Sequence, residues 1–280
     1  MSPSQVQAQA PANALLSISI VTYQPPLATF RALLCSLGLA VAAVREHLHA
    51  ACAVSIVDHS PDPSAVRSAC ALVDALPLTL LHDPANPGFG AGHNRGIGLS
   101  TAPFHLILNP DVELPPQSLV ELLRYMHMHA DVAALGPAVC DGAGVVQSSC
   151  KSEVTLLDLA LRGFAPCGLR QRFAQRLARY ECRDLLDAGR IARVLHLSGC
   201  FMLCRTAALR AVGGFDTGYF LYFEDFALSR ALQTQGQVLY YPAVHIVHHG
   251  GGAARKGWRH LRYFGASAWR WFMTQGWRLW

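Results

Sequence analysis

The sequence predicts an α/β protein built on a mixed, mainly parallel sheet that is flanked by helices, with a helical segment at the C-terminal end. Short apolar segments rich in β-branched residues alternate along the first half of the chain with longer segments of helical spacing. That alternation is typical of βαβ units, whose consecutive strands run parallel. A composition that is 52% hydrophobic and 15% charged supports a large folded core.

The predicted elements of the first half alternate in type and end at polar residues. We predict strands at residues 16–22, 53–57, 78–81, 105–108 and 133–139, and helices at residues 27–49, 63–75, 90–99 and 117–129. The polar residues just beyond these strands are Tyr23 and Gln24, Asp58 and His59, and Asp111. Because the carboxyl ends of parallel strands meet at one edge of a sheet, we expect a ligand site there. Gly88, Gly90 and Gly92 lack the spacing of a dinucleotide-binding loop or a P-loop.

The second half of the chain is less regular. Residues 152–193 show no strand pattern and hold a basic amphipathic stretch at residues 170–183, which fits a lid, an insertion or an acceptor-docking element. Beyond them we predict strands at residues 194–204 and 238–241, a helix at residues 226–234 and a final run at residues 244–252 that ends in three glycines. Glu224 and Asp225 open that helix, and capping alone would explain one acidic residue in a first helical turn.

The two ends of the chain carry different expectations. Residues 1–15 contain neither the basic nor the apolar segment of a signal peptide, so we expect a disordered leader. The longest apolar run, residues 33–44, has 12 residues and is too short to span a bilayer. Residues 253–280 combine basic with aromatic residues, which predicts a helix on a membrane surface. The same residues also suit a homodimer interface, packing on the core or an ordinary solvated helix face.

Charge and cysteine content bear on location and partners. The net charge is +5, with the excess near the C-terminal end, which favours an anionic surface or substrate. Nine cysteines without paired spacing favour reduced thiols. We therefore expect a cytoplasmic protein, at the inner face of the cytoplasmic membrane if it contacts lipid, and no nucleic-acid partner.

Six segments, taken in chain order, resemble the motifs of bacterial family 2 glycosyltransferases. They are SISIVTYQ, VSIVDHS, NPGFGAGHNRGI, LILNPDVE, LSGCFMLCRTAALRAVGGFDTGYFLYFEDFALSRAL and HIVHHGGG. Each motif is a modest signal, but the ordered set is strong and is most similar to the rhamnosyltransferase-like branch of O-antigen and cell-surface polysaccharide assembly. The resemblance implies a GT-A fold over residues 16–252, with a nucleotide-binding half at 16–115 and an acceptor half at 116–252. It also implies an inverting transfer from a nucleotide-sugar donor.

The resemblance also implies a divalent cation, Mg²⁺ or Mn²⁺, which would offset the charge that develops on a diphosphate leaving group. The family carries a DxD-type motif where this chain has Asn109-Pro110-Asp111, which leaves Asp111 as the main acidic ligand. From the triplet alone, a β-turn residue is the alternative for Asp111. A histidine after the last strand is the implied second ligand. Neighbours in a strand face opposite sides, so only one of His248 and His249 should point into the site, and we prefer His248. A buried, hydrogen-bonded histidine is the alternative.

The implied catalytic group is a carboxylate that takes the proton of the acceptor hydroxyl. By resemblance Asp225 is this base and Glu224 orients the acceptor, or the two roles are exchanged. The family often carries a further acidic residue where this chain has Ala227, so one auxiliary acceptor contact is in doubt.

The remaining implied site residues fall on the donor and acceptor sides. The donor-side residues are Thr22, Tyr23, Asp58, Asn86, Asn94, Arg95, Asn109 and Asp111. Asp58 would hold the nucleotide base, and Arg95 would pair with the diphosphate, although an exposed arginine on a helix face is the alternative. The acceptor-side residues are Asp216 and Tyr222, among aromatics of which several must belong to the core.

Three functions compete at this point. The first is transfer of a nucleotide-activated deoxysugar, such as dTDP-rhamnose, to a saccharide or a polyprenyl-linked saccharide. The second is a non-catalytic sugar-nucleotide-binding or scaffold protein, which the altered DxD motif would suit. The third is a nucleotidyltransferase, which would normally carry a glycine-rich basic loop where this chain has TYQPP.

Overall fold

The structure is a computed structural model that describes residues 13–73, 76–250 and 257–280. Its strands are β1 (Ala14–Thr22), β2 (Ala51–Asp58), β3 (Leu78–His82), β4 (Phe104–Leu108), β5 (Val112–Glu113), β6 (Val132–Cys140), β7 (Val146–Gln147), β8 (Cys150–Lys151), β9 (Ala192–Arg193), β10 (His196–Leu197), β11 (Phe201–Arg205) and β12 (Gln237–His248). Its helices are α1 (Leu27–Leu48), α2 (Ser64–Cys70), α3 (Phe89–Leu99), α4 (Ser118–Met128), α5 (Leu156–Gly163), α6 (Cys167–Arg172), α7 (Ala174–Tyr180), α8 (Arg183–Ala188), α9 (Thr206–Ala211), α10 (Glu224–Leu232) and α11 (Trp258–Gln275). The predicted mixed α/β fold is confirmed.

The central sheet has the strand order β3-β2-β1-β4-β11-β6-β12-β5. Strands β3, β2, β1 and β4 run parallel, β11 is antiparallel to both of its neighbours, and β12 is parallel to β6. Because the direction reverses twice across β11, strands β6 and β12 point the same way as β1, β2 and β4. The carboxyl ends of these strands and the start of β11 therefore lie along one edge of the sheet.

Both faces of the sheet are covered, which explains why its central strands are almost continuously apolar. Alternate residues of β4 show the division: Leu106 and Leu108 join a core cluster with α1 and α4, whereas Ile107 joins a second cluster with α3, α9 and α10. A third cluster links α11 to the segment just before α10 through Phe223, Trp271 and other aromatics.

Helix α1 corrects one expectation. The helix that contains the apolar run at residues 33–44 has 22 residues, Leu27–Leu48, and a mean hydropathy of 2.0 over its most apolar window. By length and composition it is the single helix in the described residues that could cross a membrane. One face of α1, including Phe30, Leu33 and Leu37, is fully buried against the sheet and α4. It therefore packs as a core helix of this fold.

Several boundaries differ from the predicted ones for identifiable reasons. The strand predicted at residues 194–204 is interrupted at residues 198–200. There the Gly199 N–H donates to the Asp225 side chain, and the Cys200 carbonyl accepts from the Asn109 N–H. The strand predicted at 238–241 and the first part of the run predicted at 244–252 join in β12, which ends at His248 and has a register shift between Tyr241 and His245. The helix predicted at 63–75 ends at Cys70, and residues 74–75 lie outside the described residues.

The predicted terminal segments are described only in part. Residues 1–12 of the predicted leader lie outside the described residues, and Ala14 and Leu15 already belong to β1. Residues 251–256, which include the end of the glycine run and the start of the basic tail, also lie outside. The region at 152–193, for which the sequence predicted no strands, folds as four short helices, α5 to α8, followed by the two-residue strand β9. Helices of six to eight residues are too short to show a clear period in sequence.

Candidate active site

The ends of β1 and β2 form a polar pocket around Asp58. This residue is 0% exposed, and its Oδ1 accepts hydrogen bonds from Thr22 Oγ1 at 2.9 Å, from Ser60 Oγ at 2.6 Å and from the Ser60 backbone N–H at 3.0 Å. Its Oδ2 has no hydrogen-bond partner in the described part of the protein. A buried carboxylate oxygen without a donor is costly, so this atom is poised to accept a bond from a ligand. Tyr23 follows at the same edge and is 46% exposed.

The loop and helix that follow β3 contain three of the predicted donor-side residues. Asn86 occupies a turn with φ of 46°, and its N–H donates to the Asp83 carbonyl at 3.3 Å. Asn94 donates to the Phe215 carbonyl and accepts from the Phe215 N–H, both at 2.8 Å. Arg95 pairs with Asp83 at 2.7 Å on the surface. The side chains of Asn94 and Arg95 thus tie protein segments together, and their contact with a donor stays a prediction.

The turn after β4 and the end of β12 bring the two predicted metal ligands together. His248 Nε2 lies 3.2 Å from Asp111 Oδ1 and 3.3 Å from Asn109 Nδ2. The backbone N–H of His249 donates to the Asp111 carbonyl at 3.0 Å, which fixes the turn against the strand. Gly250 is packed so closely that a β-carbon there would collide with Asp111 Oδ2. A side chain at this position would displace the Asp111 carboxylate, so glycine lets the chain pass without moving it.

His249 points away from this pair, as strand alternation predicts. Its Nε2 lies 2.5 Å from Glu113 Oε1 in a partly exposed ion pair. Of the two adjacent histidines, His248 is the one that faces Asp111.

The donor set fits a divalent cation that takes most of its ligands from a substrate. Among the described residues, no group of three or more His, Cys, Asp and Glu side chains converges. The pair of Asp111 and His248 is joined by Asn109, whose Oδ1 is buried without a hydrogen-bond partner. One carboxylate, one imidazole and one amide oxygen suit Mg²⁺ or Mn²⁺ when phosphate oxygens complete the shell.

Asp225, in the first turn of α10, is held by two backbone groups. Its Oδ2 accepts from Gly199 N–H and its Oδ1 from its neighbour Phe226 N–H, both at 2.9 Å. Burial raises the pKa of Asp225, while the two hydrogen bonds and the nearby charge of Lys151 act against that rise. The carboxylate is thus fixed in orientation and more basic than an exposed aspartate, which suits a proton acceptor.

Glu224 has a different environment although it is the next residue. It is 5% exposed, and its Oε2 has no hydrogen-bond partner within the described ranges. Burial and the adjacent charge of Asp225 raise the pKa of Glu224 well above its usual range. This shift favours the protonated form of Glu224, and in that form the group donates a hydrogen bond rather than acting as a base.

Residues 198–200 connect the Asp225 carboxylate to the turn that holds Asn109 and Asp111, a role that the sequence analysis did not predict. Gly199 donates to Asp225, and the carbonyl of the next residue, Cys200, accepts from Asn109 N–H at 2.9 Å. One short segment thus positions both the predicted base and the predicted metal-binding turn. The apolar run around Cys200 concealed this break in the strand, and Gly199 within it was the available signal.

The loop before α10 contains the predicted acceptor residues and is held by α11. Asp216 makes a bidentate ion pair with Arg270, with the shortest contact at 2.8 Å. Tyr222 Oη lies 2.7 Å from His260 Nδ1. Tyr222 and Phe223 have φ values of 73° and 66°, in a region that non-glycine residues rarely adopt. Packing on α11 stabilises this strained backbone directly in front of Glu224 and Asp225.

A buried chain of serines and histidines, also missed from sequence, lies beneath α3. Ser17 and Ser19 of β1 contact the two ring nitrogens of His105 at 2.7 and 2.8 Å, and Ser19 also contacts His93 of α3 at 2.7 Å. Burial lowers the pKa of His105 to about 3 and that of His93 well below its usual value. Both rings are therefore neutral, and the chain fixes α3 to the sheet beside the Asp58 pocket.

A family model described as glycosyltransferase like family 2 matches residues 39–274, most of the chain. The chain belongs to this family. The chain is 31% identical over 185 residues to the N-acetylglucosaminyl-diphospho-decaprenol L-rhamnosyltransferase of Mycobacterium tuberculosis, a match that covers 61% of this chain and 59% of that relative. A shorter match, 45% over 53 residues, relates it to the rhamnosyltransferase WbbL of Escherichia coli K12 and covers 19% and 20% of the two chains.

Solved structures support the GT-A fold of the chain. The mannosyltransferase PcManGT of Pyrobaculum calidifontis, in complex with GDP-Man and Mn²⁺, superposes with a TM-score of 0.59 at 18% identity, over 96% of this chain and 68% of that one. The S. aureus TarS 1-349 structure with UDP-GlcNAc gives a TM-score of 0.57 at 16% identity, over 92% and 66%. At these identities the likeness shows the fold.

Proposed function

We propose that this glycosyltransferase moves a sugar from a nucleotide-diphosphate donor to a lipid-linked saccharide, with inversion at the anomeric carbon and with a divalent cation. Rhamnose is the proposed sugar, because both named relatives are rhamnosyltransferases. A polyprenyl-diphosphate-linked acceptor follows from the decaprenol named for the first relative. Cell-surface polysaccharide assembly is the process that these two substrates suit.

A single observation carries the proposal. The consecutive residues Gly199 and Cys200 hold the Asp225 carboxylate and the backbone of Asn109, which lies beside the Asp111–His248 pair at one edge of the sheet. A cation site and a carboxylate base side by side are what transfer from a diphosphate leaving group requires.

Asp225 is the proposed base. As the acceptor oxygen forms its bond to the anomeric carbon, Asp225 takes the hydroxyl proton, and the bond between that carbon and the diphosphate breaks. The nucleoside diphosphate leaves with the electron pair. The hydrogen bonds from Gly199 and Phe226 hold the carboxylate in one orientation, so little reorganisation accompanies proton transfer.

Asn109, Asp111 and His248 are the proposed cation ligands. A bound Mg²⁺ or Mn²⁺ would supply positive charge to the departing diphosphate. On the donor side, Asp58 Oδ2 would accept a hydrogen bond from a ring N–H of the nucleotide base, since Oδ1 is already occupied. The raised pKa of Glu224 favours its protonated form, which would donate to an acceptor oxygen and so orient the attacking sugar.

The test is a panel of UDP-, GDP- and dTDP-sugars, assayed for binding and slow hydrolysis with Mn²⁺, with Mg²⁺ and with a chelator. The proposal predicts that dTDP-rhamnose binds most tightly and that the chelator removes its hydrolysis. Binding without turnover, with metal and a suitable acceptor supplied, would favour the non-catalytic binding protein. No binding of any donor by folded protein would contradict the nucleotide site itself.

A further inference from the structure

Helix α11 is apolar on two sides, and one of them is already used. Trp271 and Phe272 are each 1% exposed and pack with Phe223 and other aromatics of the third core cluster. Ser267 Oγ donates to the Leu221 carbonyl at 2.8 Å on the same side. This side anchors the helix to the loop in front of α10.

The opposite side of α11 has the composition of a buried surface, yet it is exposed. Trp258, Trp269 and Met273 are 71%, 61% and 59% exposed. At 100° per residue these three and Arg262 fall within an arc of about 60°. We call these four residues the outward face. A helix that packs on a core by one side normally presents polar residues on the other, so the outward face needs a partner.

The residues after α11 extend this surface. Trp277, Leu279 and Trp280 are 49%, 58% and 84% exposed. The rings of Trp269 and Trp277 meet edge to face with centroids 5.4 Å apart, so the tail folds back beside the outward face. Tryptophan is the residue that favours the boundary between lipid headgroups and acyl chains.

The charged residues of α11 and of the sequence on either side of it are all basic. Residues 226–280 contain seven Arg and Lys residues and no Asp or Glu. Arg270 and Arg278 are paired with acidic residues of the core domain. Arg259 and Arg262 are exposed and form no salt bridge within the described ranges. Positive charge among exposed tryptophans is complementary to an anionic interface.

We propose that the outward face of α11 docks on an anionic lipid surface, with its tryptophans at headgroup level. A second copy of the chain fits less well, because a two-fold interface on this face would bring Arg262 of one copy near Arg262 of the other. The lipid contact does not depend on sugar transfer. It would bring the loop that contains Tyr222, and Asp225 at the start of α10, close to the bilayer, where the proposed acceptor resides.

The experiment measures binding of the full chain to phosphatidylcholine vesicles with and without phosphatidylglycerol. The test variant is Trp258→Ser/Arg262→Glu. The matched control is Met128→Ser/Arg124→Glu, which makes the same change of charge at exposed positions of α4, on the other face of the sheet. We expect the test variant to lose roughly tenfold or more in affinity for the anionic vesicles, and the control to stay within about twofold of the original chain.

Three results would overturn the proposal. They are equal binding of the test variant and the control, equal binding of the original chain to neutral and anionic vesicles, and loss in the test variant of a dimer that the original chain forms without lipid. The last result would assign the face to a second copy. Donor hydrolysis without vesicles, measured on the same proteins, reports on the proposed function separately, since neither substituted position lies in the sugar-transfer site.

Discussion

At the scale of single residues, Glu224 and Asp225 show how backbone contacts give two adjacent carboxyl groups different chemistry. Asp225 accepts two backbone hydrogen bonds, which favour its charged form, whereas Glu224 Oε2 is buried without a partner in the described residues. Desolvation therefore acts on both groups, and Asp225 has more backbone donors that offset it. The protonated form is therefore favoured more strongly at Glu224, which leaves Asp225 as the proposed base.

Glu224→Gln tests this assignment, because glutamine copies the protonated form. We expect the variant to stay folded and to keep sugar transfer within roughly tenfold, while Glu224→Lys should fail to fold or lose all transfer. Initial rates with a saturating donor provide the measurement. A loss of several orders of magnitude in Glu224→Gln would mean that Glu224 acts as a charged group.

The same substitution has a signature in stability against pH. The pKa of Glu224 is higher in the folded chain than the value of about 4.3 in the unfolded chain, so the folded state binds more protons between these two values. Stability from this group is present below pH of about 4.3 and is lost as pH rises through the folded pKa, by up to about 1.4 kcal/mol per pH unit. Urea unfolding across this range should show the extra slope in the original chain and not in Glu224→Gln.

The two adjacent histidines provide a matched pair for the metal prediction. His248 lies 3.2 Å from Asp111, and His249 pairs instead with Glu113. We expect His248→Ala to weaken Mn²⁺ binding in the presence of a nucleoside diphosphate by at least roughly tenfold, and His249→Ala to change it by less than about threefold. Titration calorimetry measures both. Equal effects of the two substitutions would contradict the choice of His248.

At the scale of elements, the position of α3 depends on its close approach to the sheet. A β-carbon at Gly96 would lie 2.5 Å from Ser19 Cβ and 2.9 Å from Ser55 Oγ, whereas nothing lies within 4 Å of one at Gly98 in the same helix. The chain of hydrogen bonds through His93 requires this approach. Helix α3 is thereby held against the strands that end at Thr22 and Asp58.

Gly96→Ala and Gly98→Ala are therefore expected to have opposite effects. Gly96→Ala should destabilise the fold by about 1–3 kcal/mol, because α3 must move away from β1. Gly98→Ala should stabilise it by up to about 1 kcal/mol through higher helix propensity. Thermal unfolding of the two variants measures the difference. Two effects of the same sign would show that the packing of α3 is not as described.

The same elements show how much the sequence could predict. Strands β1, β2 and β4 and helices α1, α3 and α4 were predictable within a few residues, because the strands are short, almost continuously apolar runs and the helices have 11 or more residues. The break between β10 and β11 was not, because hydrogen bonds to Asp225 and Asn109 override the apolar pattern of residues 194–204. The left-handed conformations of Tyr222 and Phe223 were also unpredictable, since only the tertiary packing of α11 makes them tolerable.

At the scale of the whole molecule, the proposed site is assembled from segments that are far apart in sequence. Thr22, Asp58, Asn109, Gly199, Asp225 and His248 come from six different segments, brought to one edge by the parallel direction of β1, β2, β4 and β12. The sequence predicted which of these residue types belong together, but the partners of Asn94, Arg95 and Asp216 depend on tertiary contacts. A ligand that bridges these segments should stabilise the fold as a unit.

Ligand-induced stabilisation follows from this arrangement. A nucleoside diphosphate at about one hundred times its Kd should add about 2.7 kcal/mol to the free energy of unfolding, which corresponds to roughly 5–10 °C in Tm. The shift should require Mn²⁺ or Mg²⁺ and should shrink in Asp111→Asn. Differential scanning fluorimetry with and without a chelator measures it. A shift that is the same with the chelator would contradict a metal-dependent donor site.

The central claim, that Asp225 is the base of a sugar transfer, is tested most directly by comparing Asp225→Asn with the original chain in two assays on the same preparation. One assay measures single-turnover transfer to a polyprenyl-diphosphate-linked acceptor, and the other measures donor binding. We predict that transfer falls by about 10²–10⁴-fold while the Kd for the donor changes by less than about threefold. Transfer at the original rate, with donor binding unchanged, would contradict the role of Asp225 and the mechanism built on it.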